Sequence, residues 1–162
     1  MSDDLQYADG HLRRIFRETR VVAMVGASPK WVRPSHFVMR YLQQKGFRVI
    51  PVNPQSAGEK VLGEEVYATL GQVPVKVDVV DVFRNSHAAG PITDEAIAIG
   101  ARVVWMQLTM RNDEAAAQAR AAGLAVVMNR CMKIEYERLF GELAWCGVNT
   151  GIISSKRLKV SR

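Results

Sequence analysis

Cysteine is almost absent from this chain: 162 residues carry only Cys131 and Cys146. Both sit among apolar or basic neighbours, so a disulfide scaffold is excluded and a reducing, cytoplasmic setting is expected. Long apolar runs are also absent. None approaches the roughly 18 residues that cross a bilayer, so no membrane partner is expected. The opening Met1-Ser2-Asp3-Asp4-Leu5 is acidic and polar and does not read as a signal peptide. No internal repeat and no long low-complexity linker interrupts the sequence. Residues 1–162 therefore read as a single domain, with 48% hydrophobic residues and a sizeable core. Histidine is scarce as well. His11, His36 and His87 are scattered, with no metal spacing and no serine or cysteine nucleophile in an obvious motif with any of them.

The charge that is present is positive, with 22 Lys and Arg against 16 Asp and Glu. That balance suits an anionic partner, either a nucleic acid or a phosphorylated small molecule. Part of the excess is local, since Lys156, Arg157, Lys159 and Arg162 crowd a basic tail at 154–162. The remainder is spread rather than striped, which argues against nucleic acid.

Apolar runs and helical patterns alternate strictly. Helix-spaced Leu12, Ile15, Phe16 and Thr19 predict a capping helix over 9–19. Strands are expected at 21–25, 48–53, 77–83, 103–106 and 124–128. Helices are expected from Ser35, as N-cap, to Gly46, with Phe37, Val38, Tyr41 and Leu42 as its apolar repeat. Others are expected over Pro91–Ile99, Asp113–Ala122 and about Ile134–Leu143. Residues 55–75 read as irregular, with one helical turn near Ala68. Strands that are continuous apolar runs between helices imply a doubly wound parallel α/β sheet of about five strands, with helices on both faces.

Ligands of such sheets sit beyond the carboxyl ends of the strands. There the sequence offers Gly26, Ala27 and Ser28, then Asn53 and Pro54, then Phe83, Arg84 and Asn85. Gln107 and Leu108 follow the fourth strand, and Asn129, Arg130 and Cys131 the fifth. A strand ending in a small-residue turn before a helix presents outward backbone N–H groups to a phosphate. Lys30, Arg33, Arg84, Arg130 and Lys133 supply cations near this edge. Each residue also has a local reading. Asn53-Pro54 can be a plain turn, Arg84 can pair with a surface carboxylate, and Gln107 can satisfy nearby backbone. Cys131 can be a small buried hydrophobe, and Trp31 can pack on its own loop or cover a ligand.

The fingerprint for NAD is incomplete. No second glycine follows Gly26 until Gly46, and Asn53 stands where an acid would hold the ribose.

Six ordered motifs carry a resemblance. They are Val25-Gly26-Ala27-Ser28, Arg33-Pro34-Ser35, Ile50-Pro51-Val52-Asn53-Pro54, Asp78 through Arg84, Val104-Trp105-Met106-Gln107, and Val127 through Glu135. Over about residues 12–140 the chain resembles the small stand-alone coenzyme A-binding proteins of bacteria and archaea. These are relatives of the CoA-binding domain of succinyl-CoA synthetase alpha chains. The resemblance implies a Rossmann-like fold with coenzyme A or an acyl-CoA across the strand ends. It implies that Gly26, Ala27, Ser28 and the helix start at Pro34-Ser35 face the diphosphate. Asn53, Pro54, Phe83 and Arg84 would line the nucleotide side, with Lys30 and Arg33 offering phosphate charge. Three positions depart from the pattern. Asn129 replaces a usual aspartate, Thr109 a usual glycine, and Tyr136 a usual histidine.

The expectation is a non-catalytic binding module, a sensor or a carrier. Two other readings stay open: an NAD(P)-binding protein or redox sensor, and an interaction or nucleic-acid module using the basic tail.

Overall fold

The computed structural model describes residues 5–141. The basic tail, Cys146 and the expected end of the last helix beyond 141 lie outside the described residues. Among those described, no helix is long and apolar enough to cross a membrane.

The chain begins with α1 (Asp9–Glu18) and enters β1 (Val21–Val25). Asp78 fixes that entry, because its Oδ2 accepts the amides of Arg20 and Val21 at 2.9 and 3.0 Å. Next come α2 (Pro34–Gln44) and β2 (Arg48–Val52). Gly46, at φ 95°, closes α2: its amide donates to Gln43 O and the Phe47 amide to Leu42 O. This left-handed double closure needs a residue without a Cβ penalty. Beyond a small hairpin lie β5 (Val79–Val82), α3 (Ala89–Ala98), β6 (Val103–Met106), α4 (Asp113–Ala121), β7 (Ala125–Val127) and α5 (Met132–Phe140).

The five main strands form one sheet in the order β2-β1-β5-β6-β7, and every pairing is parallel. This is the expected Rossmann-like doubly wound α/β fold. The chain leaves β1 for β2 on one side and returns to β5 on the other. The order therefore reverses between β1 and β5, and their carboxyl ends frame a crevice.

Side chains alternate between two packed faces. Val22, Met24, Val79, Trp105 and Val127 meet α1, α2 and α5 through Leu12, Phe16, Met39, Leu42, Met132 and Leu139. Ala23, Val25, Val80, Val82, Val104 and Met106 meet the alanine-rich faces of α3 and α4. Each large apolar side chain buried this way contributes roughly 1.5–3 kcal/mol. Tyr136, where the resemblance expects histidine, belongs to the first face. Its ring lies edge-on to Phe16 at 5.3 Å and stacks on Phe140 at 5.0 Å. Its role in the fold is aromatic packing.

Several expectations need correction. Residues 55–75 are not merely irregular: β3 (Lys60–Val61) and β4 (Glu64–Glu65) pair as a hairpin. Its turn places Leu62 and Gly63 at φ 48° and 85°. The helical turn falls at Leu70–Gln72 instead of near Ala68. Ser35 is not the cap of α2. Pro34 takes the first helical position, where its missing N–H and fixed φ cost nothing, so Arg33 becomes the cap residue. Phe37 leaves the apolar stripe, since α2 buries Val38, Met39 and Leu42. The last helix begins at Met132 instead of Ile134, and α3 begins at Ala89 instead of Pro91.

Candidate ligand-binding site

Gly26 continues β1 beyond its last ladder residue, with its amide donating to Val52 O at 2.8 Å. Its φ is +87°, and a Cβ there would lie 2.3 Å from the Phe83 carbonyl oxygen. No side chain fits that space, so glycine lets the β1 turn pass against the end of β5. Ala27 is buried beneath the turn. The Ser28 amide then donates to Ser35 Oγ at 3.1 Å, and the Lys30 amide to Ser28 Oγ at 3.2 Å. Because the Ser35 hydroxyl accepts, its own proton stays available to a ligand at the start of α2.

Asn53 is only 8% exposed and clamps this turn from the β2 side. Its Nδ2 donates to Ala27 O at 2.9 Å, while Oδ1 accepts the Gln55 amide and Arg84 Nη2 at 3.0 and 3.2 Å. The residue makes the turn its local reading expected and also ties three loops together. Pro54 follows on the exposed side of that turn. Arg84 has no carboxylate partner among the described residues. Its stem lies over Gly26 and its guanidinium reaches Asn53.

Beside this turn opens a cleft of about 730 Å³. Phe37 and Val38 of α2, Phe83 after β5, Leu108 and Met110 after β6, and Ile134 of α5 give it apolar walls. Pro34 forms its edge toward the phosphate turn. Arg84, Gln107, Cys131 and Lys133 are its polar points. Such a volume, mostly apolar with few polar groups, is typical of small-molecule sites. Two smaller hollows, about 470 and 270 Å³, open at the amino ends of the strands. The strand topology favours the carboxyl-end cleft over both.

Sequence reasoning assigned no role to the group beneath this cleft. Asp81 of β5 is fully buried, and Gln107 Nε2 donates to its Oδ1 at 2.6 Å. Gln107 therefore satisfies a carboxyl group rather than backbone. Burial pushes the Asp81 carboxyl up to about 7, against the opposing pull of the Gln107 hydrogen bond. The available signal was an acid at the centre of the apolar run, Asp81 between Val80 and Val82. Cys131 is 7% exposed. Burial pushes its thiol up, opposed by hydrogen bonds from the Ile134 and Lys133 amides at the start of α5.

Not every expected residue converges here. Lys30 and Arg33 are exposed on the loop before α2, whereas Lys133 lines the cleft while its Nζ lies over the Tyr41 ring at 5.2 Å. Arg130 turns elsewhere: its guanidinium donates to Leu5 O at 2.6 Å and lies over Tyr7. Asn129 sits at φ 54°, and its Oδ1 accepts the Thr109 amide at 2.8 Å, joining the loops after β6 and β7. Thr109 is left-handed at φ 71°, the backbone of a glycine position. Trp31 does not pack on its own loop, for it is 70% exposed.

The sequence profile of the CoA binding domain matches residues 20–137. The chain belongs to the CoA-binding domain family. The chain is also similar to the uncharacterized protein YneT of Bacillus subtilis (strain 168), 30% identical over 125 residues, which cover 77% of this chain and 91% of YneT. A hypothetical protein from Pyrococcus horikoshii OT3 superposes with a TM-score of 0.81 at 40% identity, covering 87% of this chain and all of its own. The dinucleotide-forming acetyl-coenzyme A synthetase 1 of Ca. Korarchaeum cryptofilum also shares the fold, with a TM-score of 0.60 and 25% identity. That likeness covers 71% of this chain and 27% of the synthetase. The CoA-binding family domain thus coincides with the span from β1 to α5.

Proposed function

We propose that this chain binds coenzyme A or an acyl-CoA across the carboxyl ends of its strands. It does so as a non-catalytic sensor or carrier in the cytoplasm. The observation that carries the reading is the junction at Pro34-Ser35. There a phosphate-type turn on one side meets a largely apolar cleft on the other. Coenzyme A has the same two-part chemistry, a multiply charged nucleotide joined to a long, weakly polar thiol arm. In this reading the diphosphate lies against Gly26–Ser28 and the Ser35 hydroxyl. Lys30, Arg33 and Arg84 offset its charge. The pantetheine arm runs between Phe37, Phe83 and Leu108 toward Cys131.

A dinucleotide such as NAD fits less well. Asn53 spends its carbonyl oxygen on Gln55 and Arg84 and its amide on Ala27, so no acceptor there is aimed at ribose hydroxyls.

Amide chemical-shift mapping tests the placement. Titration with coenzyme A should move the amides of Gly26 through Ser35 together with those of Leu108, Cys131 and Ile134. Shifts confined to the amino ends of the strands would contradict it.

A further inference from the structure

The cleft beside the phosphate turn is larger and more apolar than a pantetheine arm needs. The arm has about 17 non-hydrogen atoms, and at the roughly 30 Å³ that each water molecule takes in the liquid it fills about 500 Å³. The cleft holds about 730 Å³, so about 200 Å³ stays open beside the arm. No carboxylate lines that space. Arg84, Gln107 and Lys133 are enough to meet the hydroxyl and two amides of the arm, and most of the remaining wall is apolar. Val38, Met110 and Ile134 are buried and form a covered apolar floor. Phe37 of α2 and Leu108 after β6 are 49% and 38% exposed and form its open lips. Trp31 and Val32, on the loop that leads into α2, are exposed as well. Four of the five large apolar side chains exposed among the described residues thus belong to the segments around this one end of the sheet. Apolar surface left exposed around a cavity marks a binding site with an apolar ligand group still to cover it.

We infer that the preferred ligand is a coenzyme A thioester with an apolar acyl chain of about six to eight carbons, whose chain fills the part of the cleft that the arm leaves open. The inference rests on the proposal that the pantetheine arm occupies this cleft, and it adds the class of acyl group. The length follows from the open volume, at about the same 30 Å³ for each carbon. The apolar character follows from the floor at Val38, Met110 and Ile134. An acyl chain that ends in a carboxylate suits the cleft poorly. Arg84 is turned to Asn53 and Lys133 to the Tyr41 ring, so the charge would be buried against apolar walls. Free coenzyme A and acetyl-CoA leave the floor uncovered. Each further methylene taken from water into the cleft strengthens binding by up to about fourfold.

Titration calorimetry of the full chain with coenzyme A and its acetyl, butyryl, hexanoyl, octanoyl and dodecanoyl thioesters, below micellar concentrations, tests this. Affinity should rise about two- to fourfold per methylene from acetyl to octanoyl, at least about fiftyfold in all, and level off by dodecanoyl. Succinyl-CoA has the chain length of butyryl-CoA and should bind at least about tenfold more weakly. Phe37→Ser and Leu108→Ser change exposed side chains, and thermal unfolding should show both variants folded. Each should weaken octanoyl-CoA more than acetyl-CoA and so flatten the rise. A flat series, a rise that continues undiminished to dodecanoyl, tighter binding of succinyl-CoA than of butyryl-CoA, or equal losses of the two thioesters in the folded variants would each overturn the inference. The series also separates the two claims. If coenzyme A and acetyl-CoA bind and longer chains add nothing, the acyl preference falls and the binding proposal stands. If neither coenzyme A nor any thioester binds, both fall.

Discussion

Gln107 Nε2, just past the end of β6, donates to Asp81 Oδ1 of the adjacent β5 at 2.6 Å, and both side chains are buried. The carboxyl group is pushed up to about 7 from an ordinary 3.8. The folded chain therefore holds a proton that the unfolded chain releases between about pH 4 and pH 7. A raised acid contributes its full stability below its unfolded value and loses it as pH rises through its folded one. Unfolding free energy should fall by up to about 4 kcal/mol across that window, at about 1.4 kcal/mol per unit. Asn cannot ionise, so Asp81→Asn should lose the slope and exceed the parent in stability near pH 8. Urea unfolding at several pH values checks both. A slope that survives the substitution would assign it to another group.

Gly26→Ala should be severe. The left-handed backbone alone costs an L-residue roughly 1–2 kcal/mol. The added methyl would also press on the Phe83 carbonyl, which is main chain and cannot swing aside. A loss of at least about 3 kcal/mol is expected, together with loss of coenzyme A binding. An alanine variant within about 1 kcal/mol of the parent would contradict this account of the turn.

Thr109→Gly should act in the opposite direction. Thr109 is β-branched and sits at φ 71°. Relief of roughly 1–2 kcal/mol of strain exceeds the roughly 0.5–1 kcal/mol that glycine loses in chain entropy. A modest gain, of up to about 1 kcal/mol, is expected in thermal unfolding. A loss would mean that the threonine side chain makes a compensating contact.

The five strands were legible because each is an unbroken apolar run, and the helix ends because Gly46, Gly100 and Gly123 mark them. The hairpin was not legible. Its two-residue strands include Lys60, Glu64 and Glu65, so no periodicity can reveal them, and Leu62 takes a backbone usually left to glycine or asparagine. The small-residue turn was readable from Gly26-Ala27-Ser28 alone. Its apolar neighbour was not, because Phe37, Phe83 and Leu108 come from three segments that only the fold unites. Phe37 even imitates a core position, since it falls one residue from Val38 at helical spacing. Arg130 looked like a site cation, but the N-terminal segment that holds it, at Leu5 and Tyr7, is distant in sequence.

Lys30 and Arg33 test the charge argument without touching the core. Both are exposed. Their replacement by alanine should leave stability within about 0.5 kcal/mol. The double variant should bind coenzyme A several-fold more weakly, and the difference should shrink as salt rises. Titration calorimetry at low and high ionic strength measures both effects. Equal affinity for parent and variant at low salt would remove these residues from the site.

The central claim is that the cleft and turn hold coenzyme A in preference to other nucleotides. A thermal-shift comparison of coenzyme A, acetyl-CoA, NAD and NADP tests it most directly. A ligand at a hundred times its dissociation constant adds about 2.7 kcal/mol, which for a chain of this size raises the midpoint by about 5–10 °C. The account predicts that rise with coenzyme A or acetyl-CoA and none with NAD or NADP at the same concentration. A clear shift with NAD and none with either form of coenzyme A would contradict it.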